Sequence, residues 1–138
     1  RAALYGMGEN VHCAVWPGSD HNTKDITRFI ARESRSYVIS VSSLMNKTDC
    51  PSDTPYIDEL LAAAPEQLAN GGSCVANPDG TWLIEPQVNT EGVFCAEIQL
   101  DRVYEERQNF DPVGHYSRPD VTQLHVNRER QSTIKIKD

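Results

Sequence analysis

Apolar and polar positions along this chain switch between two spacings, and the switches mark its elements. The run VHCAVW (11–16) is short, apolar and rich in β-formers, and Pro17-Gly18 closes it, so it predicts a buried strand that ends in a loop. The spacing then changes: Ile26, Phe29 and Ile30 form an i, i+3, i+4 stripe, with Arg28, Arg32 and Arg35 on the opposite side. Asn22 or Thr23 is placed to cap this stretch and Asp25 to favour its dipole, which predicts a helix through Arg35. SYVISVSS (36–43) predicts a second buried strand, and the polar loop LMNKTDCPSD (44–53) follows it. Strand, helix and strand with short connections make a βαβ unit, so the expected class is α/β.

Beyond the loop, Tyr56 to Ala64 reads as a helix behind Pro55, and Pro65 as the start of a second short helix that stops at Gly71-Gly72. SCVAN and TWLIE flank Pro78-Asp79-Gly80, a turn signal that predicts a hairpin. GVFCAEIQL (92–100) predicts a third long strand, and Asp101 caps a helix over DRVYEERQ. Periodicity is lost in NFDPVGHYSRPD. VTQLHV (121–126) reads as one more strand, and residues 127–138 as a charged tail whose Ile-Lys alternation suits a sheet edge. The opening stretch RAALYGMG reads as the end of a helix, because Gly6 and Gly8 follow strong helix formers.

Charge narrows the function classes. The net charge is −7, and residues 51–100 carry eight acidic side chains with no Lys or Arg. Phosphate recognition needs clustered basic residues, so a nucleic-acid partner is not expected. No apolar run approaches the ~20 residues of a membrane-spanning helix, so no membrane partner is expected either. The cysteines at 13, 50, 74 and 95 have no CxxC spacing and no paired histidines. Cys13, Cys74 and Cys95 lie in apolar runs and read as small buried hydrophobes, while Cys50 stands in a polar loop and is the one candidate for reactivity. Reduced, structural cysteines point to a cytoplasmic location.

Spacing alone locates no catalytic centre. There is no G-x-S-x-G elbow, P-loop, G-x-G-x-x-G or H-E-x-x-H. His12, His21, His115 and His125 each read as packed or solvated side chains.

Three stretches together carry a resemblance: ALYGMGENVHCAVWPGSD, RESRSYVISVSSL, and GGSCVANPDGTWLIEP running on to FDPVGHYSRPDV. Over residues 1–126, and in this order, the chain resembles the C-terminal half of a nitrilase of the carbon-nitrogen hydrolase superfamily. The resemblance implies half of a four-layer αββα sandwich, so residues 1–138 are expected to form a single partial domain. It implies hydrolysis of an organic nitrile to a carboxylic acid and ammonia by a Cys nucleophile, a Glu base and a Lys, with no metal or organic cofactor. All three lie upstream of the matched stretches, the nucleophile roughly nine residues before Arg1, or about two and a half turns at 3.6 residues each. No catalytic residue is therefore assigned within the chain, and the 138 residues alone are expected to be inactive.

What the chain is expected to supply is pocket wall and assembly surface. Trp16 and Pro17, just beyond the first strand, and Leu44 and Met45, beyond the second, are the substrate-pocket candidates; Trp16 as plain core is the alternative. Glu33 matches a position that holds a helix end. The resemblance implies that the first two helices form a two-fold contact, which makes Arg28 and Arg32 assembly candidates, with solvated surface as the alternative. His115, Tyr116 and Arg118 join them as structural or assembly residues. A homodimer or larger homo-oligomer follows, as does an apolar sheet face that makes the isolated chain poorly soluble or self-associating. A different class of function also remains open: a non-catalytic interaction or scaffold subunit, or one half of a split enzyme.

Overall fold

The computed structural model describes residues 1–130 and 132–134. A short helix, α1 (Ala2–Gly6), precedes β1 (Val11–Trp16), and α2 (Asp20–Ser34) carries the chain across to β2 (Tyr37–Ser42). β1 and β2 are parallel, from Val11 opposite Tyr37 to Trp16 opposite Ser42, which makes the expected βαβ unit. The chain then forms β3 (Leu44–Asn46), α3 (Ile57–Ala62), β4 (Gln67–Ala76), β5 (Trp82–Val88) and α4 (Asp101–Asn109). β2 and β3 pair in succession along one edge of β4 and β5 pairs along the other, all antiparallel. The result is a mixed α/β fold, as the resemblance implies for part of a nitrilase.

One face of the sheet packs on α2. Ala14, Val38 and Ala76 meet Ile30 and Ala31, with Trp16, Ile26 and Trp82 closing the margin. The buried face of α2 runs through Thr23, Thr27, Ile30, Ala31 and Ser34, and Phe29 is 53% exposed. The expected stripe is therefore corrected at Phe29. Thr27 Oγ1 donates to the Thr23 carbonyl at 2.7 Å and Ser34 Oγ to the Ile30 carbonyl at 2.8 Å, so these residues pack as small, satisfied groups that a count of apolar positions overlooks.

The opposite sheet face is open. Ile39, Val75 and Ile84 are half-buried there, but Val15 is 81% and Val41 51% exposed, and Cys13 is exposed beside them. The apolar sheet face expected from half a sandwich is present. Cys13 and Cys95 are exposed, which overturns their reading as buried hydrophobes; Cys74 is buried, and all four thiols are free.

Four further expectations are corrected. α2 begins at Asp20, with Ser19 at its N-cap, ahead of Asn22 and Thr23. The short helix expected from Pro65 to Gly71 is the first half of β4: Gly71 and Gly72 have φ of +83° and +98° and sit where the β4–β5 register shifts, so they bend a strand and do not end a helix. Residues 92–100 form no strand, since they find no ladder partner; Tyr37 instead anchors them, its hydroxyl accepting from the Gln99 N–H at 3.2 Å. Residues 121–126 likewise form no strand. The Ile-Lys alternation of the tail lies mostly outside the described residues.

Candidate functional site

In an open α/β sheet the crevice beyond the carboxyl ends of parallel strands is where ligands sit. Here those ends are Trp16 and Ser42, directly opposite one another. The loop leaving β1 is held down on them. Ser43 Oγ donates to the Pro17 carbonyl. Gly18, with φ of +135°, lies so close to β4 that a Cβ would stand 2.5 Å from the Ala69 Cβ. Glycine alone meets both the angle and the contact.

The start of α2 is tied to β4 by a reciprocal pair. The Asp20 N–H donates to Asn70 Oδ1 at 2.9 Å, and Asn70 Nδ2 donates back to Asp20 Oδ1 at 2.8 Å. This hydrogen bond from Asn70, with Lys24 adding to it, holds the Asp20 carboxyl below its ordinary value. On the neighbouring strand the Ser42 N–H donates to Ser73 Oγ at 3.0 Å, and the Ser73 hydroxyl donates to the Ser42 carbonyl at 3.3 Å.

A cleft of about 540 Å³ opens beside this edge, lined by Ser42, Leu44, Asn46, Asp49, Thr90 and Phe94 among others. Of the expected pocket residues, Leu44 lines it. Met45 is half-buried in β3 opposite Ala69, and Pro17 is exposed in the loop above. Trp16 packs against the core under α2, with its Nε1 buried and without a hydrogen-bond partner among the described residues.

The expected assembly residues divide into two groups. Arg28 Nε donates to the Gly80 carbonyl at 2.9 Å and its guanidinium lies 5.5 Å from the Trp82 ring centroid, so it fastens α2 to the hairpin turn; Arg32 is exposed beside it. Glu33 Oε2 accepts from Tyr5 OH at 2.8 Å and from Arg1 Nε at 3.2 Å, tying α1 to α2. His115 packs against Tyr116, and Tyr116 against Phe110, as tilted ring pairs at centroid distances of 4.8 and 4.9 Å. Arg118 makes a two-armed pair with Asp120, at 2.8 and 2.6 Å. A hollow of about 830 Å³ separates α1 from this stretch, with Met7, Tyr116 and Leu124 in its walls.

At the far ends of the strands, His12 Nδ1 lies 2.7 Å from Glu9 Oε1, and Arg107 reaches the Asn10 side chain at 3.0 Å as well as the Glu9 carbonyl. Neither Glu9 nor Arg107 was singled out from the sequence, because the pair is 98 positions apart and no local motif joins them. Asn70 escaped notice for a similar reason: its segment reads as helix, and only the strand brings it to Asp20.

Burial pushes the Cys74 thiol up against the opposing hydrogen bonds of Ser40 and Thr27, which disfavours a thiolate. Among the described residues no group of three or more His, Cys, Asp and Glu side chains gathers to hold a metal ion, and no helix is long and apolar enough to cross a membrane.

No family model matches the chain. It is similar to curated nitrilases over almost its whole length. An aliphatic nitrilase of Sinorhizobium fredii is 30% identical over 135 residues, 97% of this chain and 43% of that protein. Nitrilase 2 of Arabidopsis thaliana is 31% identical, with 97% of this chain and 40% of that protein covered. A nitrilase of Bradyrhizobium diazoefficiens is 34% identical, covering 92% and 39%. The chain thus spans about two fifths of the length of these relatives. In sequence and in its α/β fold, this chain matches part of a nitrilase.

Proposed function

We propose that this chain is the C-terminal portion of a nitrilase that converts an organic nitrile to a carboxylic acid and ammonia. The observation that carries this reading is the match to nitrilases across 97% of the chain but 43% or less of each of these relatives. A carbon-nitrogen hydrolase is the kind of enzyme these similarities support.

The catalytic Cys, Glu and Lys belong, in this reading, to sequence preceding the matched segment. The thiolate adds to the nitrile carbon and the nitrogen takes up a proton, giving a thioimidate. Water adds to that carbon, ammonia leaves, and a second, base-activated water releases the acid from the acyl-enzyme. Two waters are consumed for each nitrile. The chain's contribution is the wall around this reaction: Trp16 at the end of β1 and Pro17 after it, with Leu44 and Met45 in β3. The rigid Gly18 loop and the Asp20–Asn70 tie favour a fixed wall over a mobile one.

The outer sides of α1 and α2, with Arg28, Arg32 and Glu33, together with His115, Tyr116 and Arg118, form the contact to a second subunit. Exposed Leu4 and Phe29 on these helices suit such a role. Ammonia release from a panel of nitriles tests the reading, with the 138-residue chain and a longer protein carrying its natural upstream sequence assayed side by side. The chain alone should release none, and the longer protein should release ammonia and acid in equal amounts. Ammonia from the chain alone, or none from the longer protein, contradicts the proposal.

A further inference from the structure

Three segments of the chain converge on Asn70 in β4. Its side chain exchanges two hydrogen bonds with Asp20, at 2.9 and 2.8 Å, and so fixes where α2 starts. Its carbonyl accepts from the Asn89 N–H at 2.8 Å, which sets the segment that carries Thr90 and Glu91. It lies opposite Leu44 in the β3–β4 register, and the N–H of the adjacent Gly71 donates to the Ser43 carbonyl at 3.1 Å. Ser43, Leu44, Thr90 and Glu91 all line the cleft of about 540 Å³.

Of these ties, the one to Asp20 alone depends on the Asn70 side chain. It reaches the cleft through the loop: Pro17, Gly18 and Ser19 lead from β1 to Asp20, and the Ser43 hydroxyl donates to the Pro17 carbonyl. There is no slack on either side of Asn70. A Cβ at Gly18 would stand 2.5 Å from the Ala69 Cβ, and one at Gly72 would stand 2.8 Å from the Asp20 Cα. An amide suits the exchange because the Asp20 N–H needs an acceptor and the Asp20 carboxylate needs a donor; a carboxylate of the same shape offers no donor.

We propose that Asn70 is a positioning residue of the cleft: through Asp20 and the Pro17–Ser19 loop it sets the place of Ser43, and so how the wall fits the organic group of the nitrile. The inference rests on the nitrilase reading and adds a specificity-determining residue to it. Asn70→Asp keeps the shape, removes the donor and sets two carboxylates face to face. Adding Asp20→Asn supplies the donor from the other side while the N–H of residue 20 keeps its acceptor, so the double variant restores the tie.

In a longer protein carrying its natural upstream sequence, propionitrile and 3-phenylpropionitrile offer the same reacting end with a short and a long organic body. Asn70→Asp should lower kcat/KM for 3-phenylpropionitrile about tenfold relative to propionitrile, the scale of one lost hydrogen bond, and the double variant should return the ratio to within about twofold. Loss of folded protein lowers both equally, so an unchanged ratio, or one that Asp20→Asn does not restore, overturns the inference. Should Asn70→Asp not fold, Asn70→Ala removes the same bonds without the repulsion, and its ratio decides. The 138-residue chain gives a readout independent of the reaction: with Trp82→Phe, Trp16 is the single tryptophan and stands next to the loop. In variants that circular dichroism shows to be folded, Asn70→Asp should move the Trp16 emission to the red and the double variant should return it. No movement overturns the inference. A reversed movement, with neither nitrile hydrolysed by the longer protein, upholds the hold of Asn70 on the loop and removes only the nitrilase reading.

Discussion

Tyr5 donates its phenolic hydrogen to Glu33 Oε2 at 2.8 Å and so fastens α1 to the last turns of α2. Burial, followed by the hydrogen bond to Glu33 and its charge, pushes the Tyr5 phenol up from its ordinary 10.0. The folded chain therefore keeps this proton at a pH where the unfolded chain has lost it. The contribution is fully present below pH 10.0 and is lost as the pH rises beyond it. Tyr5→Phe should remove that alkaline loss and cost about 1 kcal/mol at neutral pH, read as a shift in the denaturant midpoint at pH 7 and again above pH 10.

Gly18→Ala tests the loop above the site. The substitution faces a φ of +135° and a Cβ contact of 2.5 Å with Ala69. Both must relax by moving the loop or β4, so destabilisation of at least about 2 kcal/mol is expected. Chemical denaturation measures it. A change under about 0.5 kcal/mol, the ordinary range for surface substitutions, would show that the loop is not held as described.

The hairpin turn gives an acid-side prediction. Burial pushes the Asp79 carboxyl up, but the Thr81 hydroxyl and N–H, at 2.6 and 2.8 Å, together with Arg102, more than offset it and leave the group below 3.8. The unfolded chain takes up this proton first as the pH falls. Stability from Asp79 is therefore complete above about pH 5 and is lost progressively below pH 4. Asp79→Asn should cost about 1 kcal/mol at pH 7 and flatten the acid limb of the stability profile.

Thiol labelling reports on the open sheet face. Cys13 and Cys95 are exposed and Cys74 is buried with a raised pKa, so iodoacetamide should modify the first two well before the third. If the face carrying Cys13, Val15 and Val41 is covered in a longer protein, Cys13 should be protected there and reactive in the chain alone. Equal reactivity in both would mean that nothing packs on that face.

The βαβ unit was legible because its three elements each carry their own period and Pro17-Gly18 closes β1, whereas the polar loop expected from Leu44 begins as β3, a three-residue strand paired with β4. The hairpin was legible through Pro78-Asp79-Gly80. β4 was not, because its first half, QLANGG, has no strand-like alternation, and its glycines serve a close approach: a Cβ at Gly72 would stand 2.8 Å from the Asp20 Cα. Residues 92–100 have the composition of a strand but no partner edge, and composition cannot supply one. For the site, Leu44 was accessible from its place after β2. Ser42, Asn70 and Asp20 were not, since their importance lies in what the register and the fold bring beside them. The reaction class came from the resemblance, not from any spacing of chemical groups within the chain.

The most direct test of the central claim is the natural coding sequence immediately upstream of Arg1. The account predicts a Cys-Trp-Glu motif roughly nine residues before Arg1, about two and a half helical turns at 3.6 residues per turn. An upstream segment with no cysteine in its last ~20 residues, some five and a half turns on the same scale, would contradict it.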